Sequence, residues 1–118
     1  MIGPDGIQIG VPVSLKGPPP GTPLVFAVRR PTPSPFTSFT TTSFDLPATT
    51  GQWKVSARMY NVAGRVVKTL LNGSLAPGTH AVMWDGRDDH GMLAASGVYF
   101  LQVEIPGHHQ QVRTVFLR

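Results

Sequence analysis

Trp84-Asp85-Gly86-Arg87-Asp88-Asp89-His90-Gly91, followed five residues later by Ser96-Gly97-Val98-Tyr99-Phe100, decides the fold class of this 118-residue chain. The stretch joins the end of one strand, a polar turn and the start of another strand. Trp84 closes an alternating run from Thr79, in which His80, Val82 and Trp84 share one face and Ala81 and Met83 the other. Asp85-Gly86 is a turn dipeptide, because glycine takes positive φ without steric cost. Gly97 opens Val98 to Ile105, rich in the β-branched and aromatic residues that suit a pleated surface. A chain built from such pieces is all-β.

Working outward, the same grammar repeats. Leu24 to Arg29 reads as a first strand, with Leu24, Phe26 and Val28 on one face. Pro31-Thr32-Pro33-Ser34-Pro35-Phe36 cannot join a central ladder, since three of its residues lack an N–H, and Phe36 is expected to anchor this irregular piece to the core. Thr40 to Leu46, Trp53 to Asn61 and Arg65 to Leu71 read as the next three strands. Asn61 to Gly64, Asn72-Gly73 and Pro77-Gly78 read as turns. Thr79 to Trp84, Val98 to Ile105 and Gln111 to Leu117 complete the set, with Pro106-Gly107-His108-His109 turning the last hairpin. Seven short strands at roughly ten-residue spacing indicate an antiparallel β-sandwich.

Composition agrees with that class. The 13 glycines and 12 prolines oppose long helices, and the 41% apolar content supports a packed core. Residues 1–23 differ from the rest. Ile7 to Leu15 alternates, but Pro12 would confine it to a sheet edge, and Gly17-Pro18-Pro19-Pro20-Gly21-Thr22-Pro23 is a stiff, extended spacer. We therefore expect an N-terminal extension and linker over 1–23 and one sandwich over 24–118. The N-terminus has neither a basic start nor an apolar run, so no secretory signal peptide is expected there. The chain then stays in the cytosol, leaves by another route, or is the tail of a longer protein. No segment approaches the ~20 apolar residues of a membrane span, which argues against direct membrane insertion. The ten basic residues are scattered, only Arg29 and Arg30 being adjacent, and no aromatic residues interleave with them. That pattern argues against a nucleic-acid partner. With no cysteine there are no disulfides or thiolate metal sites, and the compartment stays open.

A set of ordered marks runs through residues 24–118. They are Pro33-Ser34-Pro35-Phe36; Met59 to Val67, containing Gly64-Arg65; Gly78-Thr79-His80; Trp84-Asp85-Gly86 with Asp88 and Gly91; Ser96-Gly97-Val98-Tyr99-Phe100; and Arg113-Thr114-Val115-Phe116-Leu117-Arg118. In this order they resemble the C-terminal type A sorting domain of type IX secretion, an immunoglobulin-like module similar to the Ig-like domain of the flagellar hook-capping protein. The resemblance implies an Ig-like sandwich that acts as an address, with no catalysis and no cofactor. It implies a secretion translocon or surface-attachment machinery as partner, a secreted or cell-surface location, and a place at the end of a larger bacterial protein. The recognised features fall between Gly97 and Arg118, with Gly97, Tyr99, Arg113 and Arg118 as candidates. Trp84, Asp85, Gly86, Asp88 and Gly91 are then a structural turn motif, and Pro35, Phe36, Gly64 and Arg65 further structural positions. Ser34 stands where the family usually has asparagine, and Arg113 where it usually has lysine. An assembly domain of the hook-cap kind is the alternative reading.

Other chemistry finds little footing. Asp85, Asp88 and Asp89 offer three carboxylates where calcium wants six to eight oxygens, so Asp85 and Asp88 are expected instead to bond backbone N–H groups and fix the turn. His80, His90, His108 and His109 are spread along the chain, and adjacent strand residues face opposite sides, so a shared metal is not expected. Ser96 lacks a nucleophile elbow and a partnered histidine and acid, and Glu104 stands alone, so neither nucleophilic nor acid–base catalysis is indicated. Trp53, Tyr60, Trp84 and Tyr99 suggest a sugar platform as a further alternative. Trp84 and Tyr99 are instead expected in the core, with Trp53 as the exposed ring.

Overall fold

The computed structural model describes Pro23 and residues 25–118; the expected strand from Ile7 to Leu15, most of the spacer and Leu24 lie outside the described residues. Among the described residues there are seven strands and no helix: β1 Ala27–Val28, β2 Thr40–Leu46, β3 Trp53–Tyr60, β4 Val66–Leu75, β5 Gly78–Trp84, β6 Gly97–Ile105 and β7 His108–Phe116. They form two antiparallel sheets with strand orders β1–β2–β5 and β4–β3–β6–β7. The fold is the Ig-like β-sandwich.

Period-two alternation decides which side chains meet between the sheets. Along β2, Thr40, Thr42, Phe44 and Leu46 are buried and the residues between them are not. Val55, Ala57 and Met59 do the same on β3, and Tyr99, Leu101, Val103 and Ile105 on β6. Two register shifts against β3, between Ala57 and Arg58 and between Met59 and Tyr60, leave Leu70 and Val67 of β4 as extra residues. Such bulges bend and twist a strand. Both extra residues pack against the core. A threonine in this interior needs a partner for its hydroxyl. Thr40 Oγ1 donates to Pro33 O at 2.7 Å and Thr114 Oγ1 to Ser34 Oγ at 3.1 Å.

Several boundaries differ from the sequence reading. The first strand shrinks to Ala27–Val28, and on its side away from β2 the Gln110 side chain takes the Val28 N–H (3.0 Å) and the Phe26 carbonyl (3.0 Å). Asn72-Gly73 is not a turn. Both residues pair inside the ladder with Ser56 and Val55, because β3 offers a continuous partner as far as Trp53. The reversal moves to Ala76-Pro77. His108 and His109 begin β7 rather than belonging to the turn, which is Pro106-Gly107 alone.

On the outer face of the smaller sheet, Arg29 Nη2 bonds Asp45 Oδ2 at 2.6 Å and Thr79 Oγ1 bonds Asp45 Oδ1 at 2.7 Å. The Arg29 hydrogen bond holds the Asp45 carboxyl below its ordinary range against the opposing effect of burial, with a smaller lowering contribution from the Thr79 hydroxyl. A carboxyl that ionises at lower pH in the folded than in the unfolded chain favours folding while it is ionised. Its contribution is complete above the unfolded value of about 3.9 and is lost as pH falls through the lower folded value. The melting temperature is therefore expected to be flat from pH 7 to 5 and to fall below pH 4. Asp45→Asn should flatten part of that acid limb. An unchanged acid limb in this variant would remove Asp45 from the account.

Candidate functional site

The hairpin β6–β7 is the part of the sandwich on which the other marks converge. At its far end an aromatic group closes the core. Trp84 packs edge-on against Tyr99 (ring centroids 4.9 Å apart) and against Phe36 (5.5 Å), and Phe36 lies 5.0 Å from Phe116. These geometries are those that aromatic quadrupoles prefer. The Trp84 indole N–H donates to Arg87 O at 2.9 Å, and the Tyr99 hydroxyl donates to Ala95 O at 2.6 Å, so neither polar tip is left without a partner. Burial raises the Tyr99 phenol above its ordinary range. Only 6% of Tyr99 is exposed, so its ring has no face to offer a partner. Tyr99 is a core residue, as the reading of it as a packed ring expected.

Two loop segments clasp the end of β7. Phe36 N–H donates to Val115 O and Phe36 O accepts from Leu117 N–H, each at 2.9 Å, forming a parallel bridge. Ser34 Oγ accepts from Val115 N–H at 3.2 Å as well as from the Thr114 hydroxyl. On the other side, Ser96 Oγ accepts the Arg118 N–H at 2.8 Å. Ser96 thus serves the last residue of the chain as an acceptor. Pro35 is exposed beside this bridge, and Phe36 is buried beneath it.

The Trp84–Gly91 turn lies against the same end. Asp85 Oδ1 accepts Arg87 N–H (3.1 Å), and Asp88 Oδ1 accepts the N–H groups of His90 (2.9 Å) and Met92 (3.0 Å). Asp89 Oδ1 accepts Thr69 N–H at 3.1 Å while Asp89 N–H donates to Val67 O, which ties the loop to β4. The Met92 N–H, followed by that of His90, lowers the Asp88 carboxyl from its ordinary range. Gly86 is buried and sits on the Phe116 ring, and Arg87 Nη1 donates to Gly91 O at 3.0 Å. Gly64 makes the second tight reversal, with Asn61 Oδ1 accepting the N–H groups of Ala63 and Arg65 at 3.0 Å. Among the described residues no three histidine, aspartate or glutamate side chains gather as a metal would require. Trp53 is half-buried against the core, with its indole N–H on Pro47 O at 2.8 Å, so it is not the exposed ring expected. With Trp84 and Tyr99 inside the sandwich, the four aromatic residues share no platform.

What remains on the surface is the outer face of β7 and its edge, which short of the Phe36 bridge has no partner strand among the described residues. Gly97 pairs with Phe116 where β6 begins, and Arg113 and Arg118 are exposed. Across the outer face, Tyr60 is paired with Phe100 and Phe100 with Arg113. In a hairpin closed by the pair Ile105–His108, alternate residues of β7 turn their backbone groups toward β6. His109, Gln111, Arg113 and Val115 turn theirs outward. Val115 is met by Phe36 and Ser34, but no described residue bonds the N–H or C=O of Gln111 or Arg113. Beside them runs a groove of about 560 Å³, bordered by Arg30, Pro31, Pro35 and Arg113. Sequence reasoning did not reach Ser34 as a clasp for β7 or Gln110 as a tie to β1. Their partners lie some eighty residues away, and a single polar residue carries no periodic signal.

Comparison with known proteins now adds to this geometry. The family of FlgD Ig-like domains matches residues 33–106. A structure of dimeric latent PorU from Porphyromonas gingivalis superposes with a TM-score of 0.63 at 18% identity, covering 79% of this chain and 9% of that one. PorZ of the same organism, described as an essential surface component of its type IX secretion system, gives 0.49 at 22%, covering 79% and 11%. FlgD from P. aeruginosa gives 0.47 at 28%, covering 65% and 59%. The PorU likeness shows the fold. The chain spans only a small part of the two Porphyromonas proteins. No curated protein matches the sequence.

Proposed function

The chain belongs to the FlgD Ig-like domain family, and on that scaffold we propose that it is a non-catalytic sorting domain which directs secretion and surface attachment of a bacterial protein through the type IX pathway. The translocon or the surface-attachment machinery reads the hairpin from Gly97 to Arg118, and the exposed Arg113 and Arg118 make the contact. The observation that carries the reading is convergence. Pro33–Phe36, Trp84–Gly86 and Ser96, which are separate marks in the sequence, all bear on the last strand. Such an arrangement keeps one terminal strand in a defined shape while leaving its outer face in solvent. The small share of PorU and PorZ that the chain matches supports a place within a larger protein. A secreted or cell-surface location follows from the same reading.

Fusion of residues 24–118 to a carrier in a host with type IX secretion is expected to deliver the carrier to the surface. Replacing Arg113 and Arg118 together by serine should abolish delivery without lowering the melting temperature, since both side chains are exposed. A carrier retained with the wild-type fusion, or delivered equally well by the double variant, would sink the recognition reading. The family match itself favours a second reading, a structural assembly domain of the hook-cap kind. A tagged chain found at the flagellar hook tip would select it.

A further inference from the structure

We propose that the free edge of β7 is a docking site for an extended acidic peptide segment, which adds to the larger sheet as a fifth strand. Three observations meet there. Gln111 and Arg113 direct backbone N–H and C=O groups outward with no partner among the described residues, and an open edge of this kind is a template for another strand. The edge is closed at both ends by contacts that mark its limits. Gln110 holds β1 at one end, and Ser34 with Phe36 holds Val115 and Leu117 at the other. The space between is not a flat surface but the groove of about 560 Å³ with Arg30 and Arg113 on its walls.

Charge selects the occupant. Among the described residues, both charged side chains lining the groove are arginines and no carboxylate lines it. Each guanidinium offers a planar fork that matches a carboxylate. A second copy of this chain would be a poor occupant, because pairing β7 with β7 brings Arg113 and its copy to the same edge, and like charges across a strand pair destabilise it. A peptide with acidic side chains at alternate positions satisfies both demands. Its backbone completes the ladder at Gln111 and Arg113 while its carboxylates reach the two arginines.

The proposal deepens the recognition reading by naming the chemistry that is recognised, and rests on it only for its biological setting. It is therefore tested in vitro on the full chain, where the result does not depend on export. A synthetic peptide of about five residues, short enough for the stretch of edge between Gln110 and Val115, that alternates threonine and glutamate is titrated against the protein, with shifts of backbone amide NMR signals as the readout. Shifts centred on Gln111 and Arg113 are expected, and a lysine version of the peptide should not bind. Arg30→Glu with Arg113→Glu should weaken the acidic peptide about tenfold or more and admit the lysine version. Gln111→Pro removes an outward N–H without changing charge, and proline is tolerated on an edge strand, so it should also weaken binding while the protein stays folded. Equal binding of acidic and basic peptides, shifts confined to another face, indifference to Gln111→Pro, or self-association through this edge on gel filtration would each overturn the proposal.

Discussion

Replacing Gly86 by alanine is expected to destabilise the domain by about 2–5 kcal/mol, from two costs that add at this position. The backbone there has φ +79°, a left-handed conformation that costs a residue with a Cβ roughly 1–2 kcal/mol. The second cost is overlap. A Cβ at Gly86 would lie 2.5 Å from Phe116 Cζ and 2.6 Å from Cε1, well inside van der Waals contact. The ring has no room to retreat, since Phe116 is fully buried and is held by Phe36 and Trp84. Forcing extra volume into such a site costs about 1–3 kcal/mol. Against a total stability of about 5–15 kcal/mol, the variant should show a large drop in its urea midpoint. Gly91→Ala separates the two costs, because Gly91 has φ +80° but nothing within 4 Å of the added atom. It should lose only the backbone part. Equal losses in the two variants would mean that the Phe116 contact carries no weight.

Gly86 also shows how far the sequence could be read. Its turn role is legible in the Asp-Gly dipeptide, because positive φ is a local demand. Its contact with Phe116 is not, because nothing in the sequence around Gly86 names a ring thirty residues away. The same division runs through the fold. Alternation at Thr42, Phe44 and Leu46, and at Tyr99, Leu101 and Val103, is a direct consequence of one buried face, and it located the strands and most of the core. Asn72-Gly73 misled because a turn dipeptide states a local preference, whereas the ladder with Val55 and Ser56 is a tertiary gain that outweighs it. Tyr99 carried two readings in the sequence, a recognition candidate and a core ring, because a tyrosine on a strand suits either; its 6% exposure and the hydroxyl bond to Ala95 O are those of the core ring. The free edge of β7 was beyond reach altogether, since strand order is not written in any one strand.

Phe36→Ala is expected to cost about 3–5 kcal/mol, although the residue lies outside every named strand. Its ring is 3% exposed and fills the end of the sandwich between Phe116 and Trp84. Truncation leaves a cavity whose walls belong to two sheets and cannot close without moving both. Phe36→Leu keeps most of the volume and should cost markedly less, which tests filling against any special role of the ring. The backbone bonds to Val115 and Leu117 do not need the side chain, so β7 should stay paired at its end in whatever fraction remains folded. Because Phe36 and Phe116 share one contact, their alanine variants should be non-additive by about 0.5–3 kcal/mol in a double-mutant cycle. Additive losses would show that the two rings act independently and that the clasp is held by its backbone bonds alone. The cycle also bears on sorting. Phe36→Ala impairs delivery only through the folded fraction, so lowering the temperature should restore it, whereas the Arg113 and Arg118 double variant should remain defective when fully folded. If cooling rescues both or neither, shape and contact cannot be separate requirements at this strand.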